Sequence, residues 1–164
     1  ENKMSPEFDS VPMNVEPFDV ETEFVADPLV PDGIFKGLIT KVDLKPENGI
    51  LEFTVVLEGN EGIYCSDGIT SIDGKTSRYA VWLPQQGDEL LKSKFSALTV
   101  RQDRIRAIKK FSDKMNIIIG NAQDILLAIE RHEWISIPVL ASIKSRPFGG
   151  VLYNQIKKME RATS

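Results

Sequence analysis

Asn48-Gly49 stands between two strand-like runs, and this pair constrains the fold more than any other feature of the chain. Asn and Gly tolerate the backbone of a tight turn, so the pair, closing Pro46-Glu47-Asn48-Gly49, predicts an antiparallel hairpin. The strand before it runs from Ile34 to Leu44 and is opened by the turn signal Pro31-Asp32-Gly33. The strand after it runs from Ile50 to Glu58. There Leu51, Phe53, Val55 and Leu57 fall on one face, with Glu52, Thr54 and Glu58 on the other and Val56 as the exception. Successive side chains leave opposite faces of a strand, so this alternation reads as a half-buried antiparallel strand.

Gly59, Gly62, Gly68 and Gly74 then mark a loop-rich stretch, and alternation returns from Ser77 to Leu83, where Pro84 ends it. Between Pro84 and Trp134 the period changes. Leu91, Phe95 and Leu98 recur at helical spacing, Thr99 and Gln102 match a capping box, and Ile105, Ile108 and Phe111 continue a helical stripe. Asn121 with Asp124 predicts a second helix start before Ile125, Leu126 and Ile129, and Ile117-Ile118-Ile119 reads as a buried linker. Ile135, Ile137, Val139, Ala141 and Ile143 then share a strand face, where Pro138 suggests an edge or a bulge. A turn from Ser145 to Gly150 leads to a last strand, Val151 to Lys158 or slightly beyond.

The order is therefore β-β-β-α-β-β. It predicts a mainly β domain over residues 31–162, a five-stranded OB-fold-like barrel with a helical insert at about residues 88–133. Antiparallel SH3-like barrels and other α+β arrangements share this order, since strand count alone does not fix pairing.

A length of 164 residues suits one domain. Cys65 is the only cysteine, which excludes an internal disulfide and a thiolate zinc site; a half-buried strand-end residue is the expected role. His132 is the only histidine and falls at a predicted helix end, where it suits the negative end of the dipole. No phosphate-binding glycine pattern occurs, and no carboxylate pair has a compelling spacing, so a non-enzymatic protein without cofactor or metal is expected. No apolar run reaches membrane-spanning length and no secretory leader is visible, so a cytoplasmic protein is expected.

The net charge of -4 conceals an asymmetry. Residues 1–32 carry nine acids and one base, whereas residues 92–164 carry six acids and fourteen bases. Residues 1–30 read as an acidic, flexible arm, broken by Pro6, Pro12, Pro17 and Pro28 yet containing Phe8, Phe18, Phe24, Val25 and Leu29. Such an arm could pack on the domain, join copies into a homo-oligomer, or lie across the basic face.

The segment Pro31-Asp32-Gly33-Ile34-Phe35-Lys36-Gly37, and the later run Gly149-Gly150-Val151-Leu152-Tyr153-Asn154-Gln155-Ile156-Lys157-Lys158, give the chain its resemblance to a known group. It resembles the OB-fold single-stranded DNA-binding proteins of bacteriophages over about residues 31–160. The resemblance implies a basic barrel face that holds unpaired DNA during replication or recombination in the host cytoplasm. Many such proteins recruit replication or recombination partners through an acidic C-terminal tail; here the acidic segment is N-terminal.

Sequence-tolerant single-strand binding needs cations for phosphates and flat side chains for bases. Lys144, Arg146, Lys157 and Lys158 surround Phe148 and Tyr153 near the end of the chain. Alternation on the last strand, with Leu152 and Ile156 inward, predicts that Tyr153, Gln155 and Lys157 face out. Tyr79 and Trp82, on the third strand, are candidates to extend the platform. Single-stranded DNA is thus the expected partner, and the alternative is a non-catalytic structural or adaptor protein working through protein contacts.

Overall fold

A computed structural model describes residues 14–163. It contains strands β1 (Gly33–Lys45), β2 (Ile50–Leu57), β3 (Thr76–Trp82), β4 (Pro138–Phe148) and β5 (Val151–Arg161), with helices α1 (Val20–Glu23), α2 (Val100–Met115) and α3 (Ala122–Glu130). The turn at Pro46–Gly49 joins β1 to β2, with Gly49 in the left-handed region at φ 62° and its N–H donating to the Pro46 carbonyl at 3.3 Å. All ladders are antiparallel and the strand order is β3-β2-β1-β4-β5.

This order corrects the expected OB-fold-like barrel: the five strands form an open sheet within a mixed α/β fold. A barrel requires its two outer strands to meet in register and exchange backbone hydrogen bonds. Here β3 and β5 are the outer strands. Their Cα atoms approach within 8 Å, yet no ladder joins them, and α2 packs against both. The resemblance to OB-fold phage proteins rested on element order and segment texture, neither of which fixes closure; without a closed barrel that resemblance, and the viral assignment drawn from it, has no support.

The alternating apolar residues of β2 supply the centre of the core. Leu51, Phe53, Val55 and Leu57 are all buried, and the Phe53 ring lies 5.1 Å from Phe111 on α2 and 5.8 Å from Trp134. Thr99 starts α2 through a reciprocal cap: the Gln102 N–H donates to Thr99 Oγ1 at 3.1 Å, and the Thr99 N–H to Gln102 Oε1 at 3.0 Å. Asn121 caps α3 by accepting from the Asp124 N–H at 3.0 Å. These caps place Phe111, Met115, Ile125 and Ala128 against the sheet.

The insert departs from its predicted pattern in two places. Leu91, Phe95 and Leu98 lie in irregular chain rather than a helix, and Phe95 is 87% exposed. Ser93 and Ser96 explain the change: their hydroxyls accept from the Phe95 and Leu98 N–H groups, offering the backbone a local alternative to helical bonds. Ile118 is exposed rather than buried, because Asn116, left-handed at φ 54°, ends α2 and turns the chain outward. Pro138 is the first residue of β4, an inner strand, where its missing N–H interrupts little of the ladder.

The end of the predicted arm belongs to the packed domain. Val30 is buried; its N–H donates to Asn154 Oδ1 at 2.9 Å, and Asn154 Nδ2 donates to the Val30 carbonyl at 2.8 Å. The Leu29 N–H donates to Ser66 Oγ, and Ser66 N–H returns a bond to the Leu29 carbonyl. Asn154→Ala should therefore lower stability by about 1–3 kcal/mol, because it strands two backbone groups of a buried residue. Chemical denaturation would check this.

Candidate nucleic-acid interface

The β4–β5 ribbon is set by its turn. Gly149 and Gly150 have φ 60° and 80°, the two positive angles that a tight hairpin turn demands, and side chains there would strain the backbone. The resulting register pairs Lys144 with Gln155, Arg146 with Tyr153, and Phe148 with Val151. Residues directly opposed across an antiparallel pair share a face, so these six side chains lie together. All six are exposed, and the Phe148 and Tyr153 rings meet nearly edge-on with centroids 6.1 Å apart.

On the reverse face of β5, Ile156 is buried opposite Ile143, and Asn154 holds Val30. Leu152 shares that face but remains 53% exposed, because the ribbon projects past the core there.

A bulge extends the outer face. Ser142 opposes Lys158 and Ile143 opposes Ile156, leaving Lys157 as the extra residue. Lys157 and Lys158 are therefore both exposed instead of alternating. Ile34, 67% exposed, continues the face onto β1 opposite Ser142. From Lys144 to Met159 the chain has no acid, and among the described residues Lys144, Arg146, Lys157 and Lys158 enter no ion pair.

The two candidates on β3 lie elsewhere. Tyr79 opposes Phe53 on the inner face and stacks on Phe111 at 5.5 Å with an interplanar angle of 22°. Burial raises its phenol above the ordinary range, and Phe111 already stacks on its ring. Trp82 is exposed, but Arg104 sits over its ring at 5.6 Å while donating to Asp88 Oδ2 at 2.7 Å. Thr76, at the other end of β3, lines the cleft beside Tyr153; six residues of strand put Trp82 about 20 Å farther along. Tyr153, Gln155, Lys144, Arg146, Phe148, Lys157 and Lys158 thus share one surface, and Tyr79 and Trp82 do not belong to it.

That cleft has walls the sequence did not announce. Phe24, Val25 and Asp27 from the arm, together with Lys75, face Val151–Asn154 across about 490 Å³. Only the tertiary path of the arm places them there, so neither spacing nor composition could have found them.

Cys65 is buried, and burial pushes its thiol above the ordinary value. The native thiol should react with a disulfide reagent far more slowly than a free cysteine and reach full reactivity on unfolding; absorbance kinetics with and without denaturant would check this. No group of three or more His, Cys, Asp and Glu placed to hold a metal occurs among the described residues, and none of their helices is long and apolar enough to cross a membrane. No protein-family model matches the chain, and no curated protein matches it.

Proposed function

We propose that this protein binds single-stranded DNA, with little sequence preference, along the outer face of the β4–β5 ribbon. One observation carries the reading: Arg146 lies directly across from Tyr153, whose ring touches Phe148, on the stretch from Lys144 to Met159, which has no acid. In this reading Tyr153 and Phe148 stack on bases, which is sequence-tolerant because every base has a flat face. Lys144, Arg146, Lys157 and Lys158 contact phosphates, and Gln155 supplies a neutral hydrogen-bonding group between them. Paired bases of a duplex are already stacked and offer the rings nothing, so single strands are preferred.

Fluorescence anisotropy with matched single- and double-stranded oligonucleotides tests the proposal. Single strands should bind more tightly, and log affinity should fall against log salt with a slope of about -3 if all four cations engage phosphates. Lys157→Ala should reduce that slope by about 0.7. Equal or tighter duplex binding, or no binding at low salt, would remove the proposal.

A further inference from the structure

A second surface, on the helical insert, is built to receive a segment of opposite character. Leu83, Ile105, Ile108 and Ile125 line a groove of about 560 Å³ between α2 and α3. Arg101 and Lys109 stand on its wall and no acid lines it, while at the start of α3 the Asp124 carboxylate already accepts the Gly120 N–H at 2.7 Å. Lys109 does pair with Asp113 at 3.0 Å, but both side chains are more than half exposed, so that pair is weak and exchangeable. Ile105 is 46% exposed to solvent.

The arm has the matching composition. Between Asn14 and Asp27 it carries five acids and no base, interleaved with Val15, Phe18, Val20, Phe24 and Val25. All five apolar residues are exposed, from 48% at Val15 to 86% at Val25. Within one copy this stretch lines no part of the groove. Its last residues, Phe24–Asp27, lie with Pro28 and Leu29 beside β3 and β5 of their own copy, which leaves Val15, Phe18 and Val20 uncommitted.

We infer that the α2–α3 groove receives the acidic arm of a second copy, joining copies by exchange of arms. Val15, Phe18 and Val20 of the arm fill the groove, and the neighbouring carboxylates Glu16 and Glu21 meet Arg101 and Lys109. This interface is separate from the β4–β5 ribbon and does not depend on DNA binding.

Sedimentation equilibrium on the full chain without DNA is the test. The protein should self-associate, and either Arg101→Glu with Lys109→Glu, or Glu16→Lys with Glu21→Lys, should raise the dissociation constant by about tenfold or more. All four positions are exposed, so the variants should melt like the parent protein. Mixing the two variants supplies one intact arm and one intact groove, and should restore a one-to-one complex that neither forms alone. A chain that is monomeric at all concentrations, association indifferent to both variants, or a mixture that fails to associate would overturn the inference. Ile105→Ser should also weaken association, and unchanged association in that variant would count against the groove.

Discussion

Tyr153→Ala should cost about 1–3 kcal/mol of single-strand affinity, roughly a 5- to 150-fold rise in dissociation constant. The ring is 41% exposed and touches Phe148 rather than the core, so its loss removes a stacking surface without opening a cavity. The melting temperature should therefore hardly change. Phe148, 77% exposed at the turn, should behave alike when replaced. Because the two rings touch, the double variant should lose less or more than the sum of the singles, and a double-mutant cycle would measure that coupling. Titration by anisotropy beside a thermal melt checks both parts. Intact affinity in the Tyr153→Ala protein would mean that its ring stacks on no base. A large loss of stability would mean that it supports the ribbon instead.

The opposite behaviour is expected at Phe53. This side chain is fully buried on β2, between the rings of Phe111 and Trp134, so it links the sheet to the helical insert. Phe53→Ala should destabilise the fold by about 3–5 kcal/mol through lost burial and the cavity left behind. That is a large part of the roughly 5–15 kcal/mol that holds a domain together. Denaturant titration should show the midpoint fall steeply. Phe53→Leu, which keeps much of the volume, should recover most of the loss. A small effect of Phe53→Ala would mean that α2 and Trp134 can collapse into the space.

The strands were legible because their signals are local. Alternation at Leu51–Leu57 and glycines at the two hairpin turns act within a few residues, and so do the helix caps at Thr99 and Asn121. Strand closure is not local. Whether β3 meets β5 is decided by how distant segments pack, and no spacing in the sequence records that α2 lies against both strands. Apolar spacing misled at Leu91–Leu98 because it does not weigh competing serine hydroxyls.

The candidate surface divides in the same way. Tyr153, Gln155 and the neighbouring cations follow from alternation on one hairpin. Tyr79 could not be oriented by that rule alone, because its strand alternates Tyr79, Val81 and Leu83 with Arg78, Ala80 and Trp82, and either set could face inward. The partner Phe53 decides it, through the register of β2 with β3.

The central place of β1 has a consequence for how the chain assembles. Its ladders with β2, and those of β2 with β3 and of β4 with β5, are made by near neighbours in sequence, but its ladder with β4 brings Leu38 to Pro138. Closing a loop of that length costs about 4 kcal/mol in chain entropy, and the cost grows only logarithmically. The molecule thus holds two units of local pairing, a three-stranded meander and a hairpin, and β1–β4 is the ladder that joins them. The Val30–Asn154 bonds, and the Ser145 N–H donated to Asp32 Oδ1 at 3.0 Å, cross that same junction. The base of the arm therefore acts as a bolt. When it is drawn, hydrogen exchange should quicken first along the β1–β4 junction, while the amides within each unit stay protected.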